Sequence, residues 1–207
     1  MKKTLILAIT LLMAAAICGA ADNGKTWHFD HDKPGVIPEG FCRVAGSWRV
    51  RTVATAPSKP NVLAQLAKNS RDAFNIALVA GSSYRDPDIT VKVRSIGGAE
   101  EQGGGVVWRV KDPRNYYAFR YNPLDGSLAL YKVMNNGPVD LAHTTIMNIP
   151  GWHTIRVVMT GDHIICYFDG TRYLDRQDTT FRNTGQVGLW TKADAQTYFD
   201  DMTVTGQ

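Results

Sequence analysis

The side chains best suited to chemistry stand in one stretch, "QGGGVVWRVKDPRNYYAFRYN" (102–122), where two aromatic-rich runs each carry an arginine, Arg109 and Arg120. A guanidinium presents a planar fork of donors that pairs with a carboxylate, a phosphate or neighbouring hydroxyls. Three glycines, Gly103 to Gly105, precede the first run. A phosphate-cradling loop needs spaced glycines between a strand and a helix start, with Lys and Ser/Thr in its Walker form. Here nothing helical follows, so nucleotide binding is set aside and the glycines read as a flexible strand entrance.

Other groupings are weaker. Glycoside hydrolysis normally uses two carboxyl groups flanking the scissile bond, yet the chain has three glutamates, Glu39, Glu100 and Glu101, none in an alternating strand pattern. An aspartate pair could be drawn from Asp88, Asp169, Asp175, Asp194, Asp200 and Asp201, but no spacing singles one out, and each reads first as a turn or solvent-facing residue. "WHFDHD" sets His28 three residues before His31, a spacing that can hold a transition metal. No third histidine stands at a telling distance, and no metal ligand is assigned. A structural calcium held by Asp30 with Asp200 or Asp201 fits better, because hard cations take carboxylate oxygens at strand ends. No Ser/His/Asp or Cys/His arrangement is visible, so the catalytic residues are unknown. Of the five tryptophans, Trp27, Trp48, Trp108 and Trp152 fall at core or strand-end positions. Trp190 follows the inward-alternating Val187 and Leu189 and should face outward.

These residues sit on short β-branched and aromatic runs separated by Gly, Pro, Asn and Asp clusters, the pattern of a sandwich or barrel. Twelve runs read as strands, at 47–53, 62–67, 74–80, 88–95, 105–110, 116–122, 127–133, 153–159, 163–168, 171–176, 185–190 and 202–206. No stretch sustains a helical period beyond two turns. "MTGDHI" places Gly161 and Asp162 in a two-residue hairpin turn, setting Met159 opposite Ile164, Val157 opposite Cys166 and Ile155 opposite Phe168, with Arg156 and Tyr167 on the other face. A four-residue loop at 112–115 would set Val110 opposite Tyr117, Trp108 opposite Phe119 and Val106 opposite Tyr121, an apolar face. Arg109 and Arg120 then emerge together on the opposite face, with Leu128 and Leu130 inward and Tyr131 outward on the next strand.

The chain begins with Lys2 and Lys3, an apolar run and the small residues "GAAD", the zones of a secretory signal over residues 1–21, followed by a single domain over 22–207. Ile17 before Cys18 does not suit a lipoprotein signal, and the apolar run is too short for a membrane anchor. The reading is a periplasmic or secreted protein with no transmembrane segment after cleavage. Without Lys2 and Lys3 the balance is 21 basic against 19 acidic residues, close to +2, which does not suit a nucleic-acid partner. Cys42 and Cys166 either pair in an oxidising compartment or stay as small buried side chains.

"GGVVWRVKDPRNYYAFRY", "GWHTIRVVMTGDHIICYFDG" and "GQVGLWTKADAQTYFDDMTV" resemble, in that order, strands of the concanavalin A-like lectin/glucanase superfamily, in its laminin G-like and 3-keto-disaccharide hydrolase-like branch. The resemblance implies an all-β, two-sheet antiparallel jelly-roll β-sandwich that takes ligands across a concave sheet face, with Arg109 facing the ligand. The family-16 glucanase motif, Glu-x-Asp-x-x-Glu, is absent, as is the "LF-G-L-GW" opening of the 3-keto-disaccharide hydrolases. The sequence reading is thus a domain that binds a glycan or glycoconjugate through Arg109, Arg120 and Tyr131, with Trp190 as stacking platform and Lys192 at the rim. Its alternatives are a glycoside hydrolase or lyase acting on a disaccharide or polysaccharide, and a laminin G-like module for a protein partner at the cell envelope.

Overall fold

The computed structural model describes residues 24–207, and the leader read at residues 1–21 lies outside the described residues. Among the described residues there is no helix, and hence none long and apolar enough to cross a membrane. The strands are β1 (Lys25–Trp27), β2 (Phe41–Ala45), β3 (Trp48–Thr52), β4 (Asn61–Gln65), β5 (Phe74–Val79), β6 (Pro87–Gly97), β7 (Gly104–Asp112) and β8 (Asn115–Asn122). They continue as β9 (Ser127–Met134), β10 (Gly137–Thr145), β11 (His153–Thr160), β12 (His163–Phe168), β13 (Thr171–Gln177), β14 (Gln186–Lys192) and β15 (Gln196–Gly206). One sheet runs β13-β12-β11-β6-β15-β4-β3 with β1 also on β15; the other runs β10-β9-β8-β7-β14-β5-β2. The two antiparallel sheets enclose one main core, where Trp108, Phe119, Tyr121 and Leu130 of the seven-stranded sheet meet Val91, Val157, Ile164 and Phe199 of the eight-stranded sheet.

The β11–β12 hairpin has the register that its turn dictates, with Met159 on Ile164, Val157 on Cys166 and Ile155 on Phe168, and Gly161 supplies the positive φ of 63°. The β7–β8 pair departs from the expected register. Trp108 faces Tyr117, Val106 faces Phe119 and Gly104 faces Tyr121, because a bulge between Trp108 and Asp112 takes up the offset. Five of the six residues still reach the core, but Val110, beyond the bulge, turns to the opposite face and joins a second apolar cluster. Gly103 to Gly105, at and within the start of β7, are not a flexible entrance. A Cβ on Gly105 would lie 1.7 Å from the Phe119 carbonyl oxygen, and Gly103, at φ 68°, would meet the Tyr121 carbonyl oxygen at 2.2 Å. Only glycine lets β7 approach β8 this closely.

Three strands carry no clear sequence signal: β1, β2 and β10. Strand β10 is an edge strand with one buried residue, Ala142, so it has no apolar alternation to read. Cys42 is exposed on β2 and Cys166 is buried on β12, in the other sheet; both are free thiols, so the disulfide does not form.

Candidate functional site

The outer face of the seven-stranded sheet carries its own apolar layer: Ile76, Leu78, Val107, Val110, Tyr116, Ala118, Val133 and Trp190, with Val44 and Phe74 packed against it. Strand alternation puts them there, since Trp190 pairs with Ile76 on one side and Gly105 on the other, and Lys192 pairs with Phe74. Trp190 therefore points outward as its alternation indicates, but it is only 2% exposed and cannot be a stacking platform. Its indole N–H donates to the Tyr116 hydroxyl at 3.2 Å, and Phe74 lies over it with ring centroids 5.4 Å apart. The ring of Phe74 is half-buried, as is that of Tyr131, so a ligand can reach it where it cannot reach Trp190.

Beside this layer is a group of charges centred on Glu101. Its Oε2 accepts from Arg120 Nη1 at 2.8 Å and Asn122 Nδ2 at 2.9 Å, and its Oε1 accepts from Lys192 Nζ at 2.8 Å. Arg120 Nη2 also donates to the Tyr131 hydroxyl at 3.3 Å. Burial alone would lower the Arg120 pKa, but Tyr131 and Glu101 beside it raise it, so the guanidinium stays charged. Arg120, Tyr131 and Lys192 are thus brought together as expected. Glu101, one of the three glutamates of the chain, carries no binding signal in the sequence because it lies in the loop between β6 and β7, without alternation. It is set in place by Asp194, whose carboxylate accepts the backbone N–H groups of Ala99 at 2.6 Å, Glu100 at 3.1 Å and Glu101 at 3.0 Å. A contact between residues 93 apart leaves no local trace in the sequence.

Two hollows meet at Phe74. The larger, about 630 Å³, is lined by Phe74 together with the polar side chains of Asn69, Asp72, Arg114 and Asn136. The smaller, about 90 Å³, lies between Phe74, Tyr131, Val133, Pro138, Trp190 and Lys192. A half-buried ring flanked by amides and ions offers an apolar surface and hydrogen-bonding groups to one ligand at once.

Arg109 is not part of this site. It lies in the β7 bulge at φ 46° and is 2% exposed. Its guanidinium donates to the carbonyls of Arg85, Phe181 and Gly161, each at 2.6 Å, and to Asp86 Oδ1 at 3.1 Å. Burial lowers its pKa while Asp86 opposes the shift. The residue ties β7 to the start of β6 and to the β11–β12 turn in the opposite sheet, a structural clamp.

The aspartates are likewise engaged singly. Asp88 pairs with Arg156, Asp169 with His153, and Asp175 with His163 and Arg172. Asp30 Oδ1 accepts from the Asn61 backbone at 3.3 Å, Asp201 takes His28 Nδ1 at 2.7 Å, and Asp200 accepts from the Ser58 backbone at 3.0 Å. Burial raises the Asp200 carboxyl to about 6, against hydrogen bonds from Asp201 and Ser58. Among the described residues, no three His, Cys, Asp or Glu side chains converge as a metal cage would require.

No family model matches the chain, and no curated protein sequence does. Solved structures match it well. The carbohydrate-binding module CBM66 from Bacillus subtilis superposes with a TM-score of 0.69 at 18% identity, over 84% of this chain and 99% of that one. The carbohydrate recognition domain of Emp47p gives 0.57 at 14% identity, over 86% and 93%. The GH43 protein BlXynB from Bacillus licheniformis gives 0.62 at 15% identity, over 88% of this chain and 39% of that one. At these identities the likeness is one of fold: the chain shares with these proteins a two-sheet antiparallel β-sandwich.

Proposed function

We propose that the chain is an exported carbohydrate-binding domain that takes a glycan on the outer face of its seven-stranded sheet. The observation that carries this reading is the position of Phe74, a half-buried ring where a hollow of about 630 Å³ meets a smaller one of about 90 Å³, with amides and ions around it. A pyranose has apolar C–H faces and an equatorial belt of hydroxyls, so it needs one ring to lie on and donors and acceptors at its edge. Phe74 provides the first; Asn69, Asp72, Arg114 and Asn136 provide the second. The resemblance to carbohydrate-binding folds supports the same reading, and the leader-like residues 1–21 support export.

Binding is favoured over hydrolysis by the state of Glu101. Both of its oxygens already accept hydrogen bonds, from two cations and an amide, which ties the carboxylate into the sheet face and away from a scissile bond. The test is retention on a glycan array by the purified protein and by Phe74→Ala, with melting temperature measured alongside. The reading expects saturable retention that Phe74→Ala reduces at least tenfold in a folded protein; undiminished retention by the variant overturns the site.

A further inference from the structure

The charges beside Phe74 do not balance. Arg120 and Lys192 share one carboxylate, Glu101; the side chains of Arg120 and Glu101 are 10% and 11% exposed and that of Lys192 is 27% exposed, so the surplus of one positive charge is only partly screened by water. Asp125 lies 3.9 Å from Arg120 but is itself 54% exposed, too solvated to offset it fully. Arg120 Nε is buried without a hydrogen-bond partner. Lys192 Nζ spends one donor on Glu101, and its side chain lines the smaller hollow with Tyr131 and Trp190. No carboxylate lines that hollow.

Taken with the glycan-binding reading, on which it rests, the geometry points to an acidic sugar, a uronic acid, as the ligand. We propose that the pyranose lies on Phe74 in the larger hollow and directs its exocyclic carboxylate into the smaller one, against Lys192. The two volumes match that division: about 630 Å³ accommodates one or two rings, whereas about 90 Å³ suits a substituent. The carboxylate restores charge balance to the Arg120–Glu101–Lys192 group and accepts the ammonium's remaining donors. A neutral hydroxymethyl group in its place leaves the surplus charge uncompensated, so the site discriminates by charge as well as by shape.

The experiment compares trigalacturonate with its methyl ester, which keeps the skeleton and removes the charge, by isothermal titration of the purified protein. The expected result is at least tenfold tighter binding of the acid, a preference that weakens with added salt. Lys192→Met should bring the two ligands within about twofold while Lys192→Arg keeps the preference. Equal or tighter binding of the ester overturns the acidic-ligand assignment but leaves the glycan-binding face standing, as does retention of neutral glycans alone. Tighter binding of a sulfated galactan than of trigalacturonate overturns the assignment to a carboxylate. Failure of every glycan, neutral or acidic, overturns the binding face itself.

Discussion

Phe74 lies across the indole of Trp190 on the outer face of the seven-stranded sheet, with ring centroids 5.4 Å apart and planes inclined at 34°. The two rings have different duties. Trp190 is 2% exposed and anchored to the Tyr116 hydroxyl, while Phe74 covers it and faces the two hollows. Trp190→Ala should therefore cost about 3–5 kcal/mol of stability, the range for deleting a buried aromatic ring, read from the urea midpoint. Phe74→Ala should cost less than half as much and act mainly on glycan retention. Equal losses of stability in the two variants would show that the rings are one structural unit with no separate binding role.

Glu101 holds two cations, and its removal should expose their repulsion. Glu101→Gln leaves Arg120 and Lys192 without a carboxylate between them, and breaking a buried pair from one side is costly. Lys192 is 27% exposed, so solvent relieves part of the penalty and the expected cost is about 3 kcal/mol. Urea denaturation of the two proteins at low salt measures it. A difference below about 0.5 kcal/mol, the usual range for surface changes, would mean that the group is solvated and that its charge imbalance carries no weight.

Arg109 makes the opposite case, a residue whose type suggests binding and whose position forbids it. Its four acceptors are three carbonyls and the Asp86 carboxylate, spread between two sheets. Arg109→Leu leaves those acceptors without their donor and should cost about 3 kcal/mol or more. Arg109→Lys should recover little, because one ammonium cannot reach acceptors arranged for a planar fork. Neither change should alter retention of a glycan once the protein is folded; selective loss of binding would return Arg109 to the site.

Why Arg109 misleads while Arg120 does not is a matter of one bulge. Strand alternation places Arg120 and Tyr131 on the outer face, and it does so because β8 and β9 pair without interruption from Asn115 to Asn122. Alternation fails at Arg109 because the extra residues between Trp108 and Asp112 reset the faces of β7, and the period-2 pattern of Val106, Trp108 and Val110 contains nothing to announce it. Apart from β13, where Leu174 alone is buried, the twelve strands read from the sequence have a buried face; β10, where Ala142 alone is buried, has none. Glu101 was out of reach for a third reason: its position depends on Asp194 and Arg120, contacts made only after the sheets assemble. Phe74 was legible as a strand residue but not as the exposed ring, since Trp190 beneath it has the same outward alternation.

The clamp end of the sandwich also sets a pH dependence. Burial would raise the Asp178 carboxyl, but hydrogen bonds from Lys132, Thr180 and Tyr117 bring it down to about 2. The geometry is close: Tyr117 donates its hydroxyl proton to Oδ1 at 2.7 Å, and Lys132 Nζ approaches Oδ2 at 2.7 Å. In the unfolded chain this carboxyl titrates near the ordinary aspartate value of 3.8, so between about 4 and about 2 the unfolded state binds the proton first. The stabilisation is accordingly complete above about pH 4 and is lost as the pH falls toward 2; it amounts to about 2 kcal/mol. Urea midpoints of the unaltered protein and of Asp178→Asn, taken from pH 6 down to pH 2.5, should differ most at the upper end and converge below pH 4. A gap that stays constant across that range would mean that the asparagine amide disturbs the packing and that ionisation of Asp178 contributes nothing.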